Sequence, residues 1–325
     1  MLRSRVIGTG SYVPERVLTN RDLESMVDTS DEWISTRTGI KQRRVCEGET
    51  SAELASRAAK AALKAAGVSP RDIDLIVVGT VTPDMTFPST ACRVQSSIGV
   101  RPGAAAFDVS AACSGFLYAL DIADKYVRAG GCAKALVIGV DRFSKIVDWK
   151  DRSTCVLFGD GAGAVVLSAQ KGKKGVLSCH IHSDGRQWEL LYTGSPCPPS
   201  PFEKPGAGGP WTLKMNGNET FKIAVRTMGS AIKEALEENG LEPGDISLLI
   251  PHQANMRIIN AARDRLKLPD EKVFTNLERY GNTSAASIPL ALDEAVREGR
   301  IKEGDIVLFV AFGGGLTWAS SVVRW

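Results

Sequence analysis

Three polar side chains in this 325-residue chain are placed for group-transfer chemistry: a cysteine, a histidine and an asparagine. Cys113 lies in Asp108-Val109-Ser110-Ala111-Ala112-Cys113-Ser114-Gly115-Phe116, where an apolar strand gives way to a helix. Its small neighbours leave the sulfur approachable. Unpaired N–H groups and the dipole at a helix N-terminus favour thiolate over thiol. The same N–H groups can hold an oxyanion. A buried structural cysteine is the competing reading, and the position of Cys113 argues against it. His252 directly follows the apolar strand Ser247–Ile250, in Pro251-His252-Gln253-Ala254-Asn255. Ligand sites in α/β proteins gather at strand C-terminal ends, although a hydrogen-bonded core histidine would also fit. Asn282, in Tyr280-Gly281-Asn282-Thr283-Ser284-Ala285-Ala286-Ser287, sits at a helix start, where a capping asparagine is common.

The other histidines, His180 and His182, lie two apart on one face of a strand. A metal pair completed by Asp184 is conceivable, but no third ligand cluster is evident, so a structural role is expected. Phe158-Gly159-Asp160-Gly161-Ala162-Gly163-Ala164 lacks a phosphate-loop lysine, and strand rather than helix follows it, so close backbone packing is expected. Ala311-Phe312-Gly313-Gly314-Gly315-Leu316-Thr317-Trp318 follows a buried strand and can be a tight turn or an oxyanion donor.

The elements that must position these residues repeat. Gly67-Val68-Ser69-Pro70-Arg71-Asp72-Ile73 resembles Gly240-Leu241-Glu242-Pro243-Gly244-Asp245-Ile246, an offset of 173 residues (67 to 240). Ala119-Leu120-Asp121 resembles Ala291-Leu292-Asp293 at 172, and the strand at 135–140 resembles 306–311 at 171. Three ordered matches at nearly one offset point to two fused copies joined near the polar turn at 170–175. Each copy reads as α/β. Helices are expected at 51–66, 114–128, 219–238 and 285–298, and buried strands at 73–78, 105–109, 247–250 and 306–312. Offset 172 sets Cys113 opposite Ala285, so pseudo-two-fold packing can bring Asn282 towards Cys113. The stretch 194–211 holds ten Pro or Gly in 18 residues and reads as a surface loop, with a flap over the site as the sharper alternative.

Composition sets outer bounds. The chain is 43% hydrophobic and 24% charged, which excludes a disordered chain, a collagen-like fibre and a coiled coil. A net charge of +3 is too small a basic excess for a general nucleic-acid binder. No apolar run approaches the ~20 residues of a membrane span, and the N-terminal segment reads as a strand, not a signal peptide. The seven cysteines show no C-x-x-C pair and fit reduced thiols in the cytoplasm.

Taken together the motifs resemble the β-ketoacyl-acyl-carrier-protein synthase III family, the condensing enzymes that initiate bacterial fatty-acid synthesis. The resemblance runs through GTGSYVPERVLTN at 8–20, DEWISTRTGIKQRR at 31–44, SAACSGF at 110–116, FGDGAGA at 158–164, PHQAN at 251–255, GNTSAAS at 281–287 and AFGGGLTW at 311–318. It implies the thiolase fold, two similar α/β halves (1–172 and 173–325) in a layered α-β-α-β-α arrangement, and a homodimer. It also implies that Cys113 takes an acyl group, acetyl by preference, from acyl-CoA. Malonyl-acyl carrier protein would then lose carbon dioxide and attack the acyl-cysteine, with His252 and Asn282 stabilising the enolate. Backbone N–H groups of Cys113 and Gly314 would form the oxyanion hole.

By the same resemblance Trp33 and Arg152 would sandwich the adenine of CoA, with Arg37 near its phosphates. Phe87 would cross the dimer to close the partner's acyl pocket. Lys222, Arg257 and Arg265 would receive the acidic carrier protein, with Arg226 sharing the Lys222 helix face. No metal or redox cofactor is implied. The main alternative is a pathway-specific acyltransferase or ketosynthase on the same scaffold. Plant-type polyketide synthases have longer chains, a thiolase needs a second cysteine near Gly313-Gly314-Gly315, and a non-catalytic scaffold has no use for the intact Cys-His-Asn set.

Overall fold

The computed structural model describes residues 2–194 and 211–325. The loop or flap expected at 194–211 lies, but for its two end residues, outside the described residues. The chain opens with β1 (Leu2–Tyr12), then β2 (Val17–Thr19), α1 (Asn20–Glu24), α2 (Asp31–Thr38) and β3 (Gln42–Arg44), β2 and β3 pairing antiparallel. Next comes α3 (Ser51–Ala66), begun by a Thr50–Glu53 capping box and stopped by Gly67 at φ +65°. After it come β4 (Leu75–Gly79), α4 (Thr90–Ile98), β5 (Ala105–Val109), α5 (Gly115–Arg128), β6 (Lys134–Arg142) and β7 (Asp160–Lys171). The second part runs β8 (Gly175–Ser183), the short pair β9 (Leu191–Tyr192) and β10 (Lys214–Met215), and α6 (Gly217–Asn239). It continues with β11 (Leu248–Pro251), α7 (Met256–Leu266), α8 (Leu277–Tyr280), α9 (Ser287–Arg297), β12 (Ile306–Gly313) and β13 (Thr317–Arg324).

Two sheets carry the fold, and each repeats the other's plan. The first has the order β1-β7-β6-β4-β5, with β4, β5 and β6 parallel and β7 antiparallel to both of its neighbours. The second is β8-β13-β12-β11, with β11 parallel to β12 and β13 antiparallel to β12 and β8. A single parallel bridge, Leu249 to Val273, stands where β5 stands in the first. Side-chain alternation along the strands explains the layering. Leu75 and Val77 of β4 point into a central core, whereas Ile76 and Val78 point to an outer one. The central core contains Phe116, Leu117 and Leu120 of α5 and Ile288, Ala291 and Leu292 of α9, packed by strands of both sheets. The outer faces are covered by α3 and α4 on one side and by α6 and α7 on the other. Five layers result, α-β-α-β-α, with α5 and α9 side by side in the middle.

The central helices lie close on their strands. A Cβ at Gly79 would stand 2.4 Å from the Gly115 carbonyl carbon, and one at Gly139 would stand 2.1 Å from the Ala285 carbonyl oxygen. The helices expected from 114 and 285 start one and two residues later, at Gly115 and Ser287. Each begins with a 3₁₀ turn, Ala112–Ser114 or Ser284–Ala286, whose first residue has positive φ (+46° at Ala112, +51° at Ser284). A residue at positive φ cannot continue an α-helix, so neither helix extends back through Ala112 or Ser284 towards its strand.

Candidate active site

Cys113 occupies the middle of the first 3₁₀ turn, between β5 and α5. Holding a non-glycine residue at positive φ costs about 1–3 kcal/mol, which the surroundings must supply. They do so from the second half: Thr317 Oγ1 donates to the Ala111 carbonyl at 2.9 Å, and Ser114 Oγ donates to the Thr317 carbonyl at 3.2 Å. The glycine loop joining β12 to β13 lies against the same turn. A Cβ on Gly313 would fall 2.6 Å from the Cys113 nitrogen. The loop is therefore the tight turn of a hairpin and also runs beside the Cys113 backbone. The thiolate expected from the helix dipole is overridden: burial pushes the Cys113 thiol up to about 12. Burial thus favours the neutral thiol of Cys113 at neutral pH.

His252 caps the C-terminal end of β11, and its N–H donates to the Val310 carbonyl at 2.8 Å. It is 2% exposed, and burial holds its pKa down at about 3, so the imidazole is uncharged. Its Nδ1 lies 2.6 Å from Ser287 Oγ, at the start of α9. Asn282 is fixed on both sides of its peptide. Its N–H donates to the Leu157 carbonyl at 2.8 Å, and its carbonyl accepts from Gly159 N–H at 3.0 Å. The amide Oδ1 accepts from Ser284 N–H at 2.9 Å, which leaves the Nδ2 end to face the cavity. The 158–164 glycine motif packs closely, as its sequence suggests: a Cβ on Gly159 would lie 2.4 Å from the Tyr280 carbonyl.

Cys113, His252 and Asn282 all line one cavity of about 1330 Å³. A thiol faced by an uncharged imidazole and a primary amide suits chemistry in which negative charge develops on oxygen. Apolar walls come from Ile146, Leu157, Leu213 and Phe312, and from the stacked rings of Phe143 and Phe158 (centroids 4.5 Å apart). Gly314, Trp33 and Arg37 also line the cavity. The Arg37 guanidinium sits 4.7 Å from the Trp33 ring centroid and that of Arg152 5.3 Å. An adenine held between Trp33 and Arg152 needs about 7 Å, twice the van der Waals spacing. At its present spacing Arg152 leaves no room for a ring there, and it is tethered to the Asp28 carbonyl at 2.6 Å.

Lys222 and Arg257 lie at the cavity's rim, Lys222 paired with Glu219 at 2.8 Å and Arg257 stacked 4.8 Å from the Phe221 ring. Arg265, on α7, lies across Gly229 of α6 and away from the cavity. Phe87 is also outside it, 83% exposed on the loop between β4 and α4. The histidine pair has a different acidic partner from the one the sequence offers. Glu234 of α6 meets His182 Nε2 at 2.8 Å and His180 Nδ1 at 3.6 Å, while Asp184 pairs with Arg186. Among the described residues no group of three or more His, Cys, Asp or Glu side chains has the arrangement to hold a metal.

Sequence reasoning missed three side chains that hold the site: Ser287, Thr317 and Asp141. Asp141, at the end of β6, accepts from Thr82 Oγ1 at 2.8 Å, from Val81 N–H at 2.9 Å and, across the seam between halves, from Ala285 N–H at 3.2 Å. Its signal was an acid ending a buried apolar strand. Ser287 closes the GNTSAAS motif at 281–287 and, at offset 172, stands opposite Gly115 in the first copy.

Known proteins place the chain. Residues 107–185 match the family model "3-oxoacyl-[acyl-carrier-protein (ACP)] synthase III", and 236–325 match the model of its C-terminal part. A β-ketoacyl-[acyl-carrier-protein] synthase III of Alkalilimnicola ehrlichii is 55% identical over 327 residues, covering all of both chains. The crystal structure of the Thermus thermophilus synthase III superposes with a TM-score of 0.93 at 50% identity, covering 99% of each chain. The priming β-ketosynthase of the R1128 polyketide pathway superposes at 0.92 with 40% identity, covering 99% of this chain and 96% of its own. The fold, the paired halves and these full-length likenesses make the chain a member of the β-ketoacyl-acyl-carrier-protein synthase III family, acyltransferases of the condensing type in fatty-acid synthesis.

Proposed function

We propose that the protein starts chain building by joining a short acyl-CoA primer, acetyl-CoA by preference, to malonyl-acyl carrier protein through an acyl-Cys113 intermediate. The observation that carries this reading is the shared cavity, which runs from Cys113, His252 and Asn282 to Trp33 and Arg37. In the first half-reaction Cys113 Sγ attacks the thioester carbonyl. The thiol proton passes to the departing sulfur and CoA leaves as a thiol. The backbone N–H groups of Cys113 and Gly314 hold the oxyanion. Trp33, Arg152 and Arg37 grip the nucleotide end, once Arg152 has moved.

In the second half-reaction the malonyl carboxylate leaves as carbon dioxide, and its bonding pair forms an enolate on the thioester. His252 and Asn282 Nδ2 donate hydrogen bonds to the enolate oxygen. The carbanion attacks acyl-Cys113, the new carbon–carbon bond forms, and the released Cys113 sulfur takes a proton from solvent. An imidazole whose pKa lies near 3 suits this role, because it donates a hydrogen bond without a charge. The chemistry calls for no metal or redox cofactor. Lys222, Arg257 and Arg265 would meet the acidic carrier protein. A homodimer would pair the exposed edge strand β5 of two copies and bury Phe87, which then reaches the partner's acyl pocket. A cytoplasmic location fits the described cysteines, all of which are free. No helix among the described residues is long and apolar enough to cross a membrane.

A pathway-specific priming role is the second reading, favoured by the likeness to the R1128 ketosynthase. Intact mass spectrometry separates the two. An acetyl adduct on Cys113 that disappears on adding malonyl-acyl carrier protein, as β-ketoacyl product forms, is the expected result. An adduct formed only from other acyl-CoAs moves the protein to the pathway role. No adduct from any acyl-CoA, or one that malonyl-acyl carrier protein ignores, overturns the condensation.

A further inference from the structure

The hydrogen bonds of Ser287 decide which nitrogen of His252 carries the proton. Ser287 is 1% exposed, at the first position of α9. The structure gives its Oγ two partners among the described residues: Gln253 N–H at 3.3 Å and His252 Nδ1 at 2.6 Å. A backbone N–H can only donate, so Oγ accepts from Gln253. A hydroxyl has one proton, and a buried one needs an acceptor. If Nδ1 carried the imidazole proton, Oγ would accept twice and its own proton would have none. If Nδ1 is bare, Ser287 O–H donates to it, and all three groups are satisfied. The tautomer follows from this balance.

We infer that Ser287 is a positioning residue that keeps the proton of His252 on Nε2, the nitrogen turned to the cavity. The inference rests on the proposed condensation for its consequence, since only Nε2–H can donate to the enolate oxygen. First-half chemistry at Cys113 needs no such donor from His252. Ser287 therefore matters for the malonyl half-reaction and not for acylation.

Nuclear magnetic resonance with ¹⁵N-histidine tests the assignment on the intact protein. The chain has three histidines, so three ring pairs are expected, and a His252→Gln sample identifies the pair that vanishes. The expected spectrum at neutral pH shows Nδ1 of His252 unprotonated and Nε2 protonated. A proton on Nδ1 in the unaltered protein overturns the inference without any variant at Ser287. Ser287→Ala should populate the other tautomer and slow malonyl decarboxylation and condensation roughly ten-fold, the effect of losing one hydrogen bond to the ring. Acylation of Cys113 by acyl-CoA should stay within two-fold or so, and Ser287→Thr, which keeps the hydroxyl, should recover most of the loss. An unchanged tautomer in a folded Ser287→Ala protein, or equal loss in both half-reactions, overturns it. Failure of the unaltered protein to acylate would count against the proposed condensation, while the spectrum would still decide the tautomer.

Discussion

The carboxylate of Asp141, on β6, accepts the backbone N–H of Ala285 at 3.2 Å, in the turn that starts α9. One buried side chain thereby ties the first half to the helix start that follows Asn282. It also accepts from Val81 and Thr82, so its removal strands several buried donors. Each stranded group costs about 1–3 kcal/mol. Asp141→Ala should destabilise the protein by about 3 kcal/mol or more, measured as a lower urea midpoint with unchanged slope.

Acid stability should follow His252. Its folded pKa, about 3, lies below the 6.5 of a free imidazole, so the unfolded chain binds the extra proton first. The neutral, buried ring contributes stability that is fully present above pH 6.5 and is lost as pH falls towards 3. Within that window the loss approaches about 1.4 kcal/mol per pH unit. Urea titrations at several pH values should show this slope, and His252→Gln should flatten it. Condensation rates between pH 6 and 8 should lack a limb from His252.

The Cys113 thiol, pushed up to about 12, should react slowly with small alkylating agents at pH 8. Peptide mapping after brief iodoacetamide treatment should find the exposed Cys92 modified before Cys113. Cys113→Ser should abolish the acyl adduct and leave the folded structure intact.

The architecture was legible in the sequence because buried strands and amphipathic helices leave periodic traces, and the duplication doubled each trace. The turns at Ala112 and Ser284 were not. Positive φ at a non-glycine residue is imposed by tertiary hydrogen bonds such as Thr317 to Ala111, and residue type gives no warning of it. The depressed acidity of Cys113 escaped for a similar reason. A helix dipole can be read locally, whereas burial by the opposite half cannot. Cys113, His252 and Asn282, which the structure gathers on one cavity, could be singled out because thiol, imidazole and amide are reactive types, whereas Ser287, an ordinary small residue at a helix start, shows itself only through its contact with His252.

Trp33→Ala should raise the acyl-CoA KM about ten-fold, the loss of one stacked base. Acylation by a truncated thioester lacking the nucleotide should be unaffected, which distinguishes lost stacking from general damage. Arg152→Ala should affect the nucleotide substrate alone, since that side chain stands outside the cavity near Trp33.

Reversal of charge at the rim, Arg257→Glu, should slow association with malonyl-acyl carrier protein about ten-fold at low salt. The gap should narrow as ionic strength rises, and stopped-flow titration at two salt concentrations measures it.

The shared middle layer has a consequence for synthesis on the ribosome. Helix α5 is complete once residue 128 has emerged, but its companion α9 begins only at Ser287, within the last 39 residues. Until then α5 covers the inner face only over β4 and β6, the part over β1 and β7 where α9 will lie stays bare, and the nascent chain must keep it from sticking to other molecules. Cys113 is made early, whereas His252 and Asn282, which share its cavity, are made late, so the lining is complete only after the second half has folded.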